Sequence, residues 1–450
     1  MEYHNAIIQN KEEFVNKKPD RAHRKIVNAW CMYDWANSAY STTVMAAMLP
    51  PYFSSVAQDA GFTGAQASSM WGYVTSLTML VIALLSPILG AIADYTGSKK
   101  KFMFGFFVVA VIFTSLLVFI GTGDWLLCLI FFALAGIGGA GANVFYDSLL
   151  PHVAHPDEID QVSSKGYALG YLGGGLLLIA NLLMFTKPGW FGIPSEAWGV
   201  RLSFLSVGLW WVIFSIPIFR HVKEPPRASD YVATVNPVRA GFQRLGQTFR
   251  DLRRYKQLLL FLVAFWLYAD GIGTIMKMAT IYGAEIGIGM TALVGALLMT
   301  QFVGVPFTFL FGYLAQKLGT KRSIFLALSV YVLVSIGGYF MAEAWHFWLL
   351  AFMVGLVQGG SQALSRSLFG SMTPKARSAE FFGFFDVSSK FAGIAGPLLF
   401  GVVGQLAGTS RLSIVSLVVF FVVGMLVLRL VDEKEGIRVA EEENRAAGVA

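Results

Sequence analysis

The sequence predicts an all-α integral membrane protein with twelve transmembrane helices in two pseudo-symmetric six-helix halves, and three observations carry that expectation. Hydrophobic residues make up 56% of the 450 and charged residues only 14%, against about 25% charged in a soluble globular chain. The apolar residues gather into twelve runs of roughly 19 to 30, each long enough to cross the hydrocarbon layer as a helix. The last six runs repeat features of the first six. Glycine, at 47 residues, suits closely packed membrane helices better than barrel strands, and the composition excludes disorder, a collagen repeat and a disulfide scaffold. Cys31 and Cys128 both lie inside apolar runs and read as packing residues.

The amino-terminal arm, residues 1–26, carries Lys17, Lys18, Arg21, Arg24 and Lys25 and is too polar for a cleavable signal, so the first span is expected to direct insertion. The first half, 27–219, holds runs at Val27 to Val56, Ser69 to Ala93, Phe102 to Ile120, Trp125 to Leu150, Gly166 to Phe185 and Val200 to Phe219. A polar linker occupies 220–257. The second half, 258–430, holds Leu258 to Gly283, Thr291 to Ala315, Ser323 to Met341, Phe347 to Met372, Phe381 to Ala407 and Leu412 to Leu430, and a tail follows at 431–450.

Cations set the orientation. The arm, Lys99 to Lys101, the linker, Lys317 to Arg322, Lys375 with Arg377, and the tail collect most of the 34 Lys and Arg, while the alternate loops hold almost none. Both termini are therefore expected in the cytoplasm, with the chain in the cell membrane and in contact with its lipid. The net charge of +7 is a topology signal rather than a nucleic-acid footprint. Within the linker, Val238, Phe242, Leu245, Phe249 and Leu252 recur at spacings of four and three after an Asn236-Pro237 start, with arginines on the other faces. This predicts an amphipathic helix at the membrane interface, with partner docking as the alternative. The tail reads as solvated and partly helical.

The halves echo one another. Gly90-Ala-Ile-Ala-Asp94-Tyr-Thr-Gly97-Ser-Lys99-Lys100 follows the second span, and Gly312-Tyr-Leu-Ala-Gln-Lys-Leu-Gly319-Thr-Lys321-Arg322 follows the eighth, at an offset of 222 residues. Val162-Ser-Ser-Lys165 and Val387-Ser-Ser-Lys390 match at an offset of 225. Duplicated six-span halves are an architecture of alternating-access transporters, with the substrate site between the halves near the midplane. The glycines permit a tight turn, the basic pair anchors it at the inner leaflet, and Asp94 is placed to reach a neighbouring helix end.

The Gly90 to Lys100 segment resembles the signature loop between helices 2 and 3 of the major facilitator superfamily, and Gly312 to Arg322 resembles its copy between helices 8 and 9. Tyr33-Asp-Trp-Ala-Asn-Ser-Ala-Tyr40, Ser361-Gln-Ala-Leu-Ser-Arg366 and Glu380-Phe-Phe-Gly-Phe-Phe-Asp386-Val-Ser-Ser-Lys390 look like the vacuole-effluxer branch, whose fungal members are associated with autophagy and export amino acids from the vacuole. The resemblance implies the major facilitator fold and a small-molecule substrate, either amino acids or other small polar metabolites, with helices 1, 4, 7 and 10 lining the cavity. Two features depart from the superfamily's proton-antiporter patterns. The fourth span lacks an arginine, and the Gly-Pro pair stands in the eleventh span, as Gly396-Pro397, instead of the fifth.

Ionisable side chains in hydrocarbon are costly and are functional candidates by default. On the cavity helices the candidates for substrate or coupling are Asp34 and Asn37, Asn143 and Tyr146, Asp270 and Lys277, and Gln358 and Gln362. Asp270 and Lys277 lie about 18 and 28 Å along the seventh span at 1.5 Å per residue, and Gly271 and Gly273 permit local unwinding there, which would expose backbone groups to a ligand. The gate candidates are Gly90, Asp94, Gly97, Lys99, Asp147, Lys165, Gly312, Gly319, Arg366, Asp386 and Lys390, with Asp386 and Lys390 spaced for a local pair. Structural pairing and ligand contact both remain open for these residues.

A secondary transporter is the leading expectation, active as a monomer, with no cofactor or metal and with a proton or Na⁺ as coupling ion. A uniporter or exporter of peptides, sugars, nucleosides or drugs is the alternative. The scattered histidines show no metal or nucleophile spacing, which argues against an enzyme. The short external loops argue against a receptor, and the absence of a Walker-type loop argues against an ATP-driven pump.

Overall fold

The computed structural model describes residues 21–226, 236–250, 254–288, 290–391, 393, 395–407 and 410–448. Lys17, Lys18 and Leu252 lie outside them, as do the side chains of Phe249 and Lys390, and with the last of these the expected Asp386–Lys390 pair. Among the described residues every regular element is helical.

Helix α1 begins at Arg21–Ala39, passes through a π turn at Tyr40–Met48 and ends as Leu49–Asp59. Pro50 and Pro51 lack the N–H groups that would close the ladder onto Ala46 and Ala47, and the winding widens just ahead of them. Then follow α2 (Gly64–Thr96), α3 (Lys99–Leu116), α4 (Trp125–Ser148), α5 (Ile159–Thr186) and α6 (Glu196–His221). A capping box of Thr63 and Gln66 starts α2, and Gly97, at φ +58°, ends it in the left-handed conformation that glycine adopts without strain. The second half comprises α7 (Lys256–Glu285), α8 (Met290–Leu318), α9 (Thr320–Tyr339) and α10 (Ala344–Ser371). It continues with α11 (Ser378–Phe391, resuming at Ala395–Ala407) and α12 (Ser410–Ser416 and Val418–Leu430). Gly319, at φ +92°, makes the α8–α9 turn as Gly97 makes the α2–α3 turn.

Among the described residues ten helices are long and apolar enough to cross a membrane. The other two of the twelve expected spans coincide with α1, which is interrupted by its π turn, and α11, which is broken into pieces of 14 and 13 residues. Each half has its own core. Trp30, Phe53, Phe107, Phe132, Phe145 and Trp211 anchor one, and Phe261, Tyr268, Tyr331, Phe369, Phe382 and Phe421 anchor the other. Leucines such as Leu77 and Leu84 on α2, Leu209 on α6, Leu333 on α9 and Leu426 on α12 face outward, as lipid-facing positions require.

Three local features add to the sequence reading. Helix α7 continues without a break through Gly271 and Gly273. Gly271 serves packing instead, since a Cβ there would lie 2.8 Å from the Phe421 ring, and the interruption falls in α11. The linker helix, Pro237–Arg250, docks on α2 through its small face, with Gly241 against Ile92 and the Arg244 guanidinium over the Tyr95 ring at 5.6 Å. Its apolar Val238 and Phe242 stay about half exposed. The tail helix, Glu433–Ala446, is docked as well. Gly436 packs on Met372, Tyr255 donates to Glu443 at 2.7 Å, and the Lys375 N–H donates to Asn444 at 2.8 Å. Burial raises the Tyr255 phenol above its usual range, and Glu443 beside it adds to the shift, so the hydroxyl stays a donor.

Candidate functional site

Arg366 sits on α10 at 2% exposure and reaches into the other half. Its Nη2 donates to Asp34 Oδ2 of α1 at 3.1 Å, and its Nη1 donates to Asp147 Oδ1 of α4 at 3.1 Å. Its Nε donates to Ser163 Oγ of α5 at 2.9 Å, and Nη2 also reaches the Ser163 carbonyl at 2.9 Å. The guanidinium lies over the rings of Tyr167 (4.2 Å), Trp30 (4.8 Å) and Tyr146 (5.7 Å). Gly166 makes room for the network, because a Cβ there would fall 2.3 Å from Asp34 Oδ2. An arginine can hold this position because its fork satisfies two carboxylates and a backbone oxygen at once. Removing one member would leave a buried charge unpaired, at a cost of about 3–5 kcal/mol.

A second layer lies nearer the face that carries the linker. Asp94, at the end of α2, accepts the Ala379 and Glu380 N–H groups at 3.2 and 2.8 Å and so caps α11 across the halves. Lys99 pairs with Asp94 at 2.8 Å and donates to Ser378 Oγ at 2.6 Å and the Lys375 carbonyl at 3.2 Å, with His152 Nε2 3.0 Å away. Gly90 permits the approach, since a Cβ there would meet the Ala379 carbonyl oxygen at 2.3 Å. The second half repeats the design with other side chains. Gln316 stands where Asp94 stands in the first loop, and the cross-half contact is made by Asp160 of α5, which accepts from Thr320 at 2.7 Å and from Ser367. Gly312 lies against Ser164, 2.9 Å from where its Cβ would be. Lys100 caps the end of α6 at the Phe219 and Val222 carbonyls, and Lys321 caps the end of α12 at the Arg429 and Val431 carbonyls.

These bonds all lie toward the linker-bearing ends of the helices. The deepest hydrogen bond between the halves among the described residues runs from Tyr171 to Gln362 Oε1 at 2.8 Å. The molecule is closed on the linker face.

The remaining candidates separate by location. Asn37 donates to Asn143 at 2.8 Å between α1 and α4, and Gln358 is buried on α10. Tyr146 stacks on Trp30 at 4.5 Å and packs against the tilted Tyr33 ring at 4.7 Å, beneath Arg366. Lys165 reaches Asn28 within its own half and stays outside the Arg366 cluster. Asp386 lies half-buried on α11. Asp270 is fully buried, and its Oδ1 accepts the Gly396 N–H at 2.9 Å, at the start of the second piece of α11. Its Oδ2 has no hydrogen-bond partner among the described residues, and Lys277 is exposed. Ser163, Tyr167 and Ser378 complete the two layers without standing out individually in sequence, and Trp30 joins them, its sequence signal being an echo of Trp266 in the seventh span. The paired Val-Ser-Ser-Lys segments were the only pointer to Ser163.

Comparison with known proteins agrees with this architecture. The family model described as "Vacuole effluxer Atg22 like" matches residues 22–441. An uncharacterized MFS-type transporter of Bacillus subtilis, YxiO, is 41% identical over 421 residues, covering 93% of this chain and 97% of that one. Autophagy-related protein 22 of Yarrowia lipolytica is 28% identical over 311 residues, 62% of this chain, and this alignment spans about half (52%) of the fungal protein. Among solved structures, the proton:xylose symporter XylE superposes with a TM-score of 0.68 at 14% identity, covering 94% of this chain and 98% of that one, a likeness of fold. The two-half helical architecture, the near-complete family match and the shared fold lead to one conclusion: this chain belongs to the Atg22-like vacuole effluxer family and is a membrane transporter of the major facilitator superfamily.

Proposed function

We propose that the protein moves a small zwitterionic metabolite of the amino-acid class by alternating access, with its linker face in the cytoplasm and the described state closed to that side. The supporting observation is the Arg366 cluster. It joins α1, α4 and α5 of one half to α10 of the other through buried, charge-assisted bonds, which have to break before the linker face opens. With Asp34 occupied by Arg366, the groups left for a ligand lie further from the linker face: the Asn37–Asn143 pair, Gln358, Gln362 and Asp270, with Lys277 beyond them. A zwitterion needs an acceptor for its ammonium and a donor for its carboxylate, and Asp270 with Lys277 offers both signs on one helix. Proton or Na⁺ coupling through Asp270 rests on the same free carboxylate oxygen.

The test is counterflow of radiolabelled amino acids in proteoliposomes. Wild type is expected to give saturable counterflow, and Asp270→Asn or Lys277→Gln at least a tenfold loss in transport at subsaturating substrate, with normal folding. Unchanged transport in both variants contradicts the assignment, and saturable counterflow of a sugar, nucleoside or peptide without any for amino acids replaces the substrate class.

A further inference from the structure

Where α1 enters the fold, a second group of chemistry-bearing side chains converges outside the transport path. His23 lies on the first turn of α1, and His155 and Glu158 lie on the loop from α4 to α5. One ligand atom from each of the three falls within 4.8 Å of the other two. The His23 and His155 rings stand 4.3 Å apart at 33°, and Glu158 Oε1 contacts His23 Nε2 while accepting the His155 N–H at 3.1 Å.

Two features set this group apart from an ordinary surface pair. Glu158 is the N-cap residue of α5, yet its side chain caps none of that helix's amides and turns toward the histidines instead. Two tilted imidazoles and a carboxylate also converge, an arrangement that a cation shared among them stabilises. We propose that His23, His155 and Glu158 form a binding site for a divalent transition ion of the Zn²⁺ class. Two imidazole nitrogens and one carboxylate oxygen match the borderline-soft donor set of Zn²⁺ and not the all-oxygen shell of Ca²⁺ or Mg²⁺. His155 is exposed, so the ion enters from the linker face and a water completes its coordination. The site ties the start of α1 to the start of α5, the helices that carry Asp34 and Ser163 to Arg366, and it therefore braces one side of the closed face.

Isothermal titration of the purified full-length protein with ZnCl₂, alongside Co²⁺ absorption, tests the site. The expected result is one saturable Zn²⁺ equivalent with micromolar or tighter affinity, a visible Co²⁺ band of tetrahedral intensity, and no response to MgCl₂ or CaCl₂. His23→Ala, His155→Ala and Glu158→Gln are each expected to weaken Zn²⁺ binding by more than tenfold while keeping the metal-free melting temperature. Absence of saturable binding in wild type overturns the proposal, and so does wild-type Zn²⁺ affinity in the His23→Ala and His155→Ala variants, which would place the ion on other side chains.

Discussion

At the residue scale the decisive feature is the division of labour among buried charges. Arg366 is tolerated in the interior because four acceptor atoms of three residues, on three helices, surround it, and Asp34 and Asp147 are tolerated because Arg366 is there. Replacing it with Met leaves both carboxylates uncompensated, and about 3–5 kcal/mol lost from one conformation moves a two-state equilibrium by a hundredfold or more. Arg366→Met is therefore expected to lower the melting temperature and to raise the labelling of linker-face positions by a membrane-impermeant thiol reagent, whereas Arg366→Lys, with one point charge for two carboxylates, falls between. Labelling equal to wild type in both variants would show that the cluster does not hold the face shut. That Asp34 and Arg366 lie inside the helix bundle was legible from sequence, because charges are conspicuous in apolar runs. Their pairing was not, since Arg366 and Asp34 are 332 positions apart and several opposite charges share the same depth. The Asp270 contact was illegible for a different reason: its partner is the Gly396 backbone N–H, and every residue but proline carries one.

At the scale of elements, contact between α2 and α11 depends on missing side chains. Gly90 admits the Ala379 carbonyl, and Gly383 lets Pro87 approach to 2.8 Å of where a Cβ would stand. Gly90→Val is expected to separate the helices and withdraw Asp94 from the α11 N-terminus, abolishing counterflow while leaving each half's core intact. A cysteine pair across α2 and α11 that cross-links in wild type and fails in Gly90→Val is the check, and equal cross-linking in both would refute the packing argument. Span positions followed from apolar run length and the tight turns from Gly97 and Gly319, whereas α2 begins five residues before its expected start at Ser69, at the Thr63 cap. The π turn in α1 and the break in α11 did not, because each occupies a few residues inside a longer hydrophobic run whose period and composition hardly change. The docking of the linker helix through Ala240, Gly241 and Arg244 carries no hydrophobic sequence signal, because its apolar stripe points elsewhere.

For the whole molecule, the duplicated sequence becomes two cores joined by a shallow set of polar and small-residue contacts. Separate cores let each half move as a body, and contacts confined to one face let that motion open one side while the other closes. The two signature loops serve the same end by different chemistry, an aspartate capping α11 in one half and an α5 aspartate receiving Thr320 in the other, so the symmetry is one of position more than of side chain. Linker and tail helices add a clasp on the same side, where Arg377 donates to Thr248 at 3.2 Å and Tyr255 at 3.0 Å.

The central claim is that the Arg366 cluster holds the linker face closed. It is tested most directly by pulsed electron–electron resonance between spin labels at Lys101 on α3 and Lys317 on α8, both exposed on that face, while the native Cys31 and Cys128 are buried away from label. Wild type without substrate is expected to give a dominant short-distance population, and Arg366→Met a dominant longer one; identical distance distributions in the two proteins would contradict the account.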